Sequence, residues 1–265
     1  MKHMILGAIE SVGTMTFSFF YSVYEALHFG ILCLMHAISP RSYHPAMRTV
    51  LVKQIYFTAV QILPLFIFIG MFFGSVIIGY VVSLAIDYSL EDEIGTILVA
   101  FVMHEFAPLF TVMLVALRSS TAINTEIAVM HVNNELSTLK AFGINVINYL
   151  FLPRILGGII SIILLSALFA VIMFASGYLF SSLFLQMGLG LYMHTITLAI
   201  GVDDFLILLG KSVAFGFFTT LIPIYSGLKA GHATTGIPIS VLNGMVRLFV
   251  AIFTIEVLSL LLQSL

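Results

Sequence analysis

Residues 155–185 read ILGGIISIILLSALFAVIMFASGYLFSSLFL, a run without one charged side chain. A helix needs roughly 20 apolar residues to cross the hydrocarbon core of a bilayer, so this run spans with length left for tilt or for extension beyond the lipid. A second uncharged run extends from about Phe57 to Ala85. Three more apolar stretches each carry isolated charge: Ile94 to Leu117 holds His104 and Glu105, Phe205 to Leu228 holds Lys211, and Leu248 to Leu262 holds Glu256. The expected fold is therefore all-α, a polytopic membrane protein with about five transmembrane helices. Ahead of them, Ser11 to Met35 mixes Phe, Tyr, Leu and Met with Ser, Thr, Glu25 and His28, and is followed by Ser39-Pro40 and His44-Pro45. That polar speckling suits an interfacial helix better than a sixth span. The expected organisation is an N-terminal interfacial and cytoplasmic region, 1–52, then a transmembrane domain, 53–265, with a cytoplasmic excursion at about 118–154.

Composition excludes other classes. Apolar and aromatic types fill 61% of the 265 positions and charged residues only 8%, too few to coat a soluble domain of this length. Ten Lys and Arg against twelve Asp and Glu leave no basic field for a nucleic-acid backbone, so no nucleic-acid partner is expected. The single cysteine, Cys33, cannot form an internal disulfide and reads as a small buried residue. No A-x-A-like cleavage site follows the start, so the N-terminus is expected to be retained. Arg41, Arg48 and Lys53 precede span one, Arg118, Lys140 and Arg154 separate spans two and three, and Lys229 and Arg247 separate spans four and five. The alternate connections carry Asp87, Glu91, Asp92 and Glu93, then Asp203 and Asp204. The positive-inside rule then predicts a cytoplasmic N-terminus and a C-terminus on the opposite side.

The chain lacks the constellations of an enzyme. His104-Glu105 opens a zinc-protease pattern, but the second histidine would have to stand at Pro108. There is no G-x-S-x-G and no phosphate-binding loop, and the Gly-rich stretch from Gly227 to Pro238 reads as a tight turn. Ser119 and Ser120 beside Arg118 read as capping or packing residues, and the eight histidines are too scattered for a metal site. No catalytic residue, metal or cofactor is expected in this chain.

The costly residues are Glu105, Lys211 and Glu256, because a charge at the bilayer centre costs about 2.5–3.5 kcal/mol on insertion scales. Lys211 either snorkels towards Asp203 or contacts a lipid phosphate or a carboxylate, and Glu256 lies either deep or near an interface. Gly70, Met71 and Gly74 in span one leave room for close approach of a helix or a lipid chain, with Gly70 and Gly74 forming a G-x-x-x-G pair. Ala122 to Met130 and Glu135 to Leu139 read as a short amphipathic helical unit, which either fits a groove on a partner or rests on the bilayer.

Several ordered blocks carry a resemblance: Glu105-Phe106-Ala107-Pro108, Arg118, Ala122-Ile123-Asn124-Thr125-Glu126, Met130, and Leu139 with Gly143. A second set is Lys211-Ser212-Val213-Ala214-Phe215-Gly216, Tyr225-Ser226-Gly227-Leu228, Gly231 and Gly236. From about Lys53 to Leu262 the chain resembles the MlaE-type permeases of bacterial lipid-transporting ABC systems. The family commonly has Gly at the positions of Ser120 and Ala128, a Thr-Glu-Gln run at Asn133-Asn134-Glu135, and small residues at His232 and Pro238. The resemblance implies a permease paired with a second copy of itself, a cytoplasmic ABC ATPase dimer that uses ATP and Mg, and a lipid carrier with a mammalian-cell-entry domain. It further implies an inner-membrane location with a periplasmic C-terminus, and phospholipid exchange that preserves outer-membrane asymmetry. Arg118, Glu126, Met130 and Glu135 would meet the ATPase. Gly70, Met71, Gly74, Glu105, Lys211 and Glu256 would line the lipid pocket or its polar lining. The rival readings are a membrane scaffold that docks a lipid-binding protein without moving lipid and, third, a lipid-modifying membrane enzyme.

Overall fold

A computed structural model describes residues 24–37, 43, 45–88, 93–184, 188–231 and 233–264. Expectations resting on residues 11–23, Pro40, Arg41, His44, Glu91, Asp92 and His232 lie outside the described residues. Among the described residues, eight helical elements follow one another: α1 (residues 24–37), α2 (Pro45–Ala85), α3 (Ile94–Val132), α4 (Glu135–Ala141), α5 (Ile147–Leu183), α6 (Leu189–Ala199), α7 (Val202–Leu228) and α8 (Gly236–Gln263). Five of them, α2, α3, α5, α7 and α8, are long and apolar enough to cross a membrane, so the protein is an all-α polytopic membrane protein.

The helices overrun the apolar stretches that announce them. Span two does not end near Leu117; its helix continues through Arg118 and the segment 121–132 to Val132. The segment expected as a separate short amphipathic helix is thus the continuation of a span. Arg, Ser and Thr end the hydrophobic run without breaking a helix, whereas Asn133-Asn134 does break it: Asn134 takes the left-handed conformation at φ 59° and restarts the chain as α4. Likewise α8 begins at Gly236, and Arg247 lies within it rather than in a loop. Asp203 and Asp204 sit in the first turn of α7, where carboxylates favour the helix N-terminus.

Helix α5 is the central post, packed against α2, α7 and the middle of α3. Small residues set the spacing. A Cβ on Gly74 would lie 2.7 Å from Met173 Cα, and one on Gly216 would lie 2.5 Å from Ile159 Cα, so α2 and α7 both approach α5 backbone to backbone. Phe106 and Phe110 of α3 stack with each other and with Phe169 of α5 at ring-centroid distances of 4.9–6.3 Å, and Phe66 of α2 meets Phe169 edge-on at 4.9 Å. Helices α2 and α8 are the least buried spans and turn broad apolar faces outward, including Phe68, Phe72 and Tyr80 on one and Leu242, Val250 and Phe253 on the other.

Two smaller helices trim the ends. Helix α1, too short among its described residues to cross, packs on the basic end: Phe29 meets Phe151, and Glu25 accepts hydrogen bonds from Tyr225 at 2.5 Å and Lys229 at 2.6 Å. Cys33 is fully buried there, and burial pushes its thiol up to about 12. At the acidic end, α6 is an element the sequence reading did not anticipate. Its Tyr192 hydroxyl donates to the Phe174 carbonyl at 2.8 Å, and its Thr195 carbonyl lies against Gly95.

Candidate functional site

The three costly charges converge. Lys211 Nζ lies 2.9 Å from Glu105 Oε2 and 3.1 Å from Glu256 Oε2, and it donates at 2.6 Å to the His104 carbonyl. Lys211 and Glu256 are buried, at 5% and 8% exposure, so Lys211 does not snorkel outward and Glu256 faces the interior of the bundle. Glu105 is the open member: its side chain is 26% exposed, and its second oxygen accepts from Gln263 Nε2 at 3.2 Å. The centre holds two carboxylates and one cation, so a formal negative charge is left over. Glu256 Oε2 is enclosed, makes no hydrogen bond among the described residues and relies on the Lys211 charge across the gap.

Local sequence puts these groups together. Pro108 cannot continue the hydrogen-bond ladder of α3 and its ring crowds the carbonyl four residues back, and the turn before it widens into a π-turn over Ala100–Phe106. At the 1.5 Å rise of a helix, Glu105, Lys211 and Glu256 lie about 16, 13 and 10 Å inside the acidic ends of α3, α7 and α8. The centre thus sits in the acidic half of the bundle, not at its midplane. Beside it, His104 Nε2 and Asp204 Oδ1 are 2.6 Å apart, and Asp204 Oδ2 accepts the Gly201 N–H at 2.6 Å, which closes the first turn of α7.

The other expected site residues separate into different places. Gly70 and Gly74 face α5, where their missing side chains admit Phe169 and Met173, whereas Met71 points outward at 46% exposure. Arg118 does not lie at the far basic end. From the π-turn Ala116–Ser120 it reaches α2, with Nη2 2.8 Å from Gln61 Oε1 and Nη1 3.3 Å from the Phe57 carbonyl. Eight residues further along α3, Glu126 pairs at 2.5 Å with Arg154 of α5, whose side chain is almost wholly buried while that of Glu126 is 58% exposed. Met130 packs inward with Cys33, Ile123, Leu136 and Phe151. Glu135 opens α4, exposed, and accepts from Asn133 Nδ2.

Two features escaped the sequence reading. Arg154 entered it only as a loop charge, and its buried partnership with Glu126 has no local signature. Asn124, Ser226 and Ser240 form a buried polar knot where α3, α7 and α8 meet: Ser226 Oγ donates to the Ser240 carbonyl at 2.8 Å, and Asn124 Nδ2 donates to it at 3.3 Å. Gly227 and Gly244 make room for that knot. Ser226 with Gly227 at i+1 and Ser240 with Gly244 at i+4 are the signal, legible only once the helices are paired.

The described residues hold no group of three His, Cys, Asp or Glu that would bind a metal. The MlaE permease family model matches residues 51–262. The intermembrane phospholipid transport system permease protein MlaE of Haemophilus influenzae is 32% identical over 173 residues, 64% of this chain and 63% of its own. A protein of Rickettsia typhi described as a probable ABC transporter permease is 27% identical over 234 residues, 88% of this chain and 89% of its own. A similarly described protein of Pyropia yezoensis is 25% identical over 211 residues, 77% of each chain.

Proposed function

Since the chain belongs to the MlaE permease family, we propose that it is the membrane subunit of an ATP-driven phospholipid transporter. The observation that carries this reading is the charged centre: a buried lysine held between two carboxylates, one of them partly open, about 10–16 Å inside the acidic ends of its helices in a bundle whose outer spans keep wide apolar faces. A phospholipid needs both surfaces, apolar walls for its tails and a fixed charge array for its headgroup. Two copies enclose the path, with α2 and α8 as its walls. Lys211 presents its charge to the lipid phosphate while Glu105 and Glu256 keep the ammonium in place between lipids.

ATP and Mg are used by a separate cytoplasmic ATPase dimer, which meets the basic end of the bundle at the Glu126–Arg154 pair and α4; this chain supplies shape and coupling. On the other side a carrier with a mammalian-cell-entry domain takes up or delivers lipid, in exchange that maintains outer-membrane asymmetry. The protein lies in the inner membrane with its basic end cytoplasmic, as the positive-inside rule requires, and its C-terminus periplasmic. The test is lipid transfer from proteoliposomes containing this chain with its ATPase to a purified carrier. ATP-dependent transfer that falls at least tenfold in Lys211→Met, with complex assembly intact, is expected; transfer unaffected by that substitution overturns the assignment of the centre.

A further inference from the structure

Proline has no N–H, so within a helix the carbonyl four residues before it loses its normal donor. Two carbonyls at that spacing in this bundle are taken up by the neighbouring helix, the first of them where the π-turn of α3, last closed by the Ala107 N–H on the Val102 carbonyl, gives way to α-helix. Ahead of Pro108 in α3, the His104 carbonyl accepts Lys211 Nζ of α7 at 2.6 Å. Ahead of Pro223 in α7, the Thr219 carbonyl accepts Ser120 Oγ of α3 at 2.7 Å. Each helix thus lends its partner one released carbonyl, and the two straps tie α3 to α7 at two levels.

We propose that Pro108 is a positioning residue for Lys211, acting by withholding an N–H. The reading of Lys211 as the headgroup cation underlies its functional meaning, but the geometry is independent of it. An ammonium has three donors and here three oxygen partners: the Glu105 carboxylate and the His104 carbonyl, which accept hydrogen bonds from it, and the Glu256 carboxylate, which faces it at 3.1 Å as a charge without a hydrogen bond. The carboxylates sit on flexible side chains, one partly open and one without a good hydrogen bond. The carbonyl is part of a helix backbone and is the rigid acceptor of the three. It is held in register from the same residue's side chain, since His104 Nε2 meets Asp204 Oδ1 at the start of α7, seven residues before Lys211. An ordinary residue at 108 would return an amide that competes for this carbonyl within its own helix. Lys211 would then keep two soft partners and lose the fixed one.

The test uses the detergent-purified complex and the rate at which acetic anhydride acetylates Lys211 at pH 8, read by peptide mass spectrometry. Pro108→Ala restores the N–H. Replacement of Pro108 by lactic acid, which builds a backbone ester, removes the ring but supplies no N–H. The expected result is a rise of about tenfold in labelling for Pro108→Ala, the scale of a lost hydrogen bond to a charged group. The ester variant should stay within about twofold of the parent, as should Pro223→Ala, which restores an N–H on the other strap. Unchanged labelling in Pro108→Ala, or equal acceleration in the ester variant, overturns the proposal. If Pro108→Ala does not yield intact complex, Pro108→Ser, which also restores the N–H, takes its place: faster labelling than in the ester variant supports the withheld N–H and equal labelling refutes it. Lipid transfer is measured on the same samples. The expected labelling pattern with undiminished transfer would leave the positioning of Lys211 standing and remove its role towards the headgroup.

Discussion

Removing the Lys211 charge separates two roles that a simple loss of activity would merge. In Lys211→Met the carboxylates of Glu105 and Glu256 remain, within a site whose lysine and Glu256 are both more than nine-tenths buried. Breaking a buried pair by deleting one partner costs about 3–5 kcal/mol, because the other charge is left uncompensated. Glu256→Gln is milder: Lys211 keeps Glu105 and the His104 carbonyl, the centre becomes formally neutral, and the expected cost is about 1 kcal/mol or less. The double variant Lys211→Met with Glu256→Gln leaves only Glu105, which is partly open and has Gln263 as donor. It should therefore recover at least half of the stability lost in Lys211→Met. Stability is read by denaturation of the complex in mild detergent, and function by ATP-dependent lipid transfer to the carrier. The headgroup reading requires the double variant to regain stability while transfer stays at least tenfold down. Transfer that returns in step with stability would show that the lysine serves only to neutralise Glu256, and the reasoning would fail.

Three further outcomes follow from other contacts. Glu126→Ala should free the buried Arg154 guanidinium, and lipid transferred per ATP hydrolysed should fall severalfold while ATPase binding persists; an unchanged ratio would dissociate this pair from coupling. Gly244→Ala would place a methyl 2.2 Å from Asn124 Nδ2 and 2.7 Å from Ser226 Oγ, so a loss of about 1–3 kcal/mol is expected in the same denaturation assay, against little change for Gly210→Ala, which has open space around it. Partial burial works against the charge of Lys229, but its bonds to Glu25 and Tyr225 outweigh this and hold its ammonium above the ordinary lysine range. A raised value means that the stabilisation is complete below the ordinary lysine pKa and is lost as pH climbs through the raised one. Proteolysis within residues 24–37 should therefore accelerate only on the far alkaline side, and Lys229→Met should weaken that dependence, leaving the part set by the Tyr225 hydroxyl that donates to Glu25.

What the sequence revealed was set by physics that acts locally. Uncharged runs such as 155–185 declare their solvent without reference to any neighbour, so the five crossings and the all-α class were readable. Helix ends were misplaced wherever a charge was taken as a stop. Arg118 and Arg247 leave the lipid but do not leave the helix, and the real breaks fall at Asn133-Asn134 and at Gly236. Helix α6, at 11 residues, is too short for a crossing, so the length of an apolar run does not announce it. The charges at 105, 211 and 256 were conspicuous individually because each is costly in lipid. Their meeting was not, since it depends on α3, α7 and α8 approaching side by side, and neither was the role of Pro108, whose effect is exerted on a different residue's carbonyl.

The unbroken course of α3 makes the bundle a seesaw. Glu105 lies thirteen residues, about 20 Å, to one side of Arg118, and Glu126 lies eight residues, about 12 Å, to the other. Arg118 is tethered to α2 at Gln61 and Phe57, which puts a fulcrum between them. A tilt of about 5° about that point carries Glu105 about 1.7 Å one way and Glu126 about 1 Å the other. That is enough to break a hydrogen bond at the long arm while the short arm barely moves. Unequal arms, rather than any relay of side chains, would let a small displacement at the Glu126 end become a larger one at the charge lock buried within the bundle.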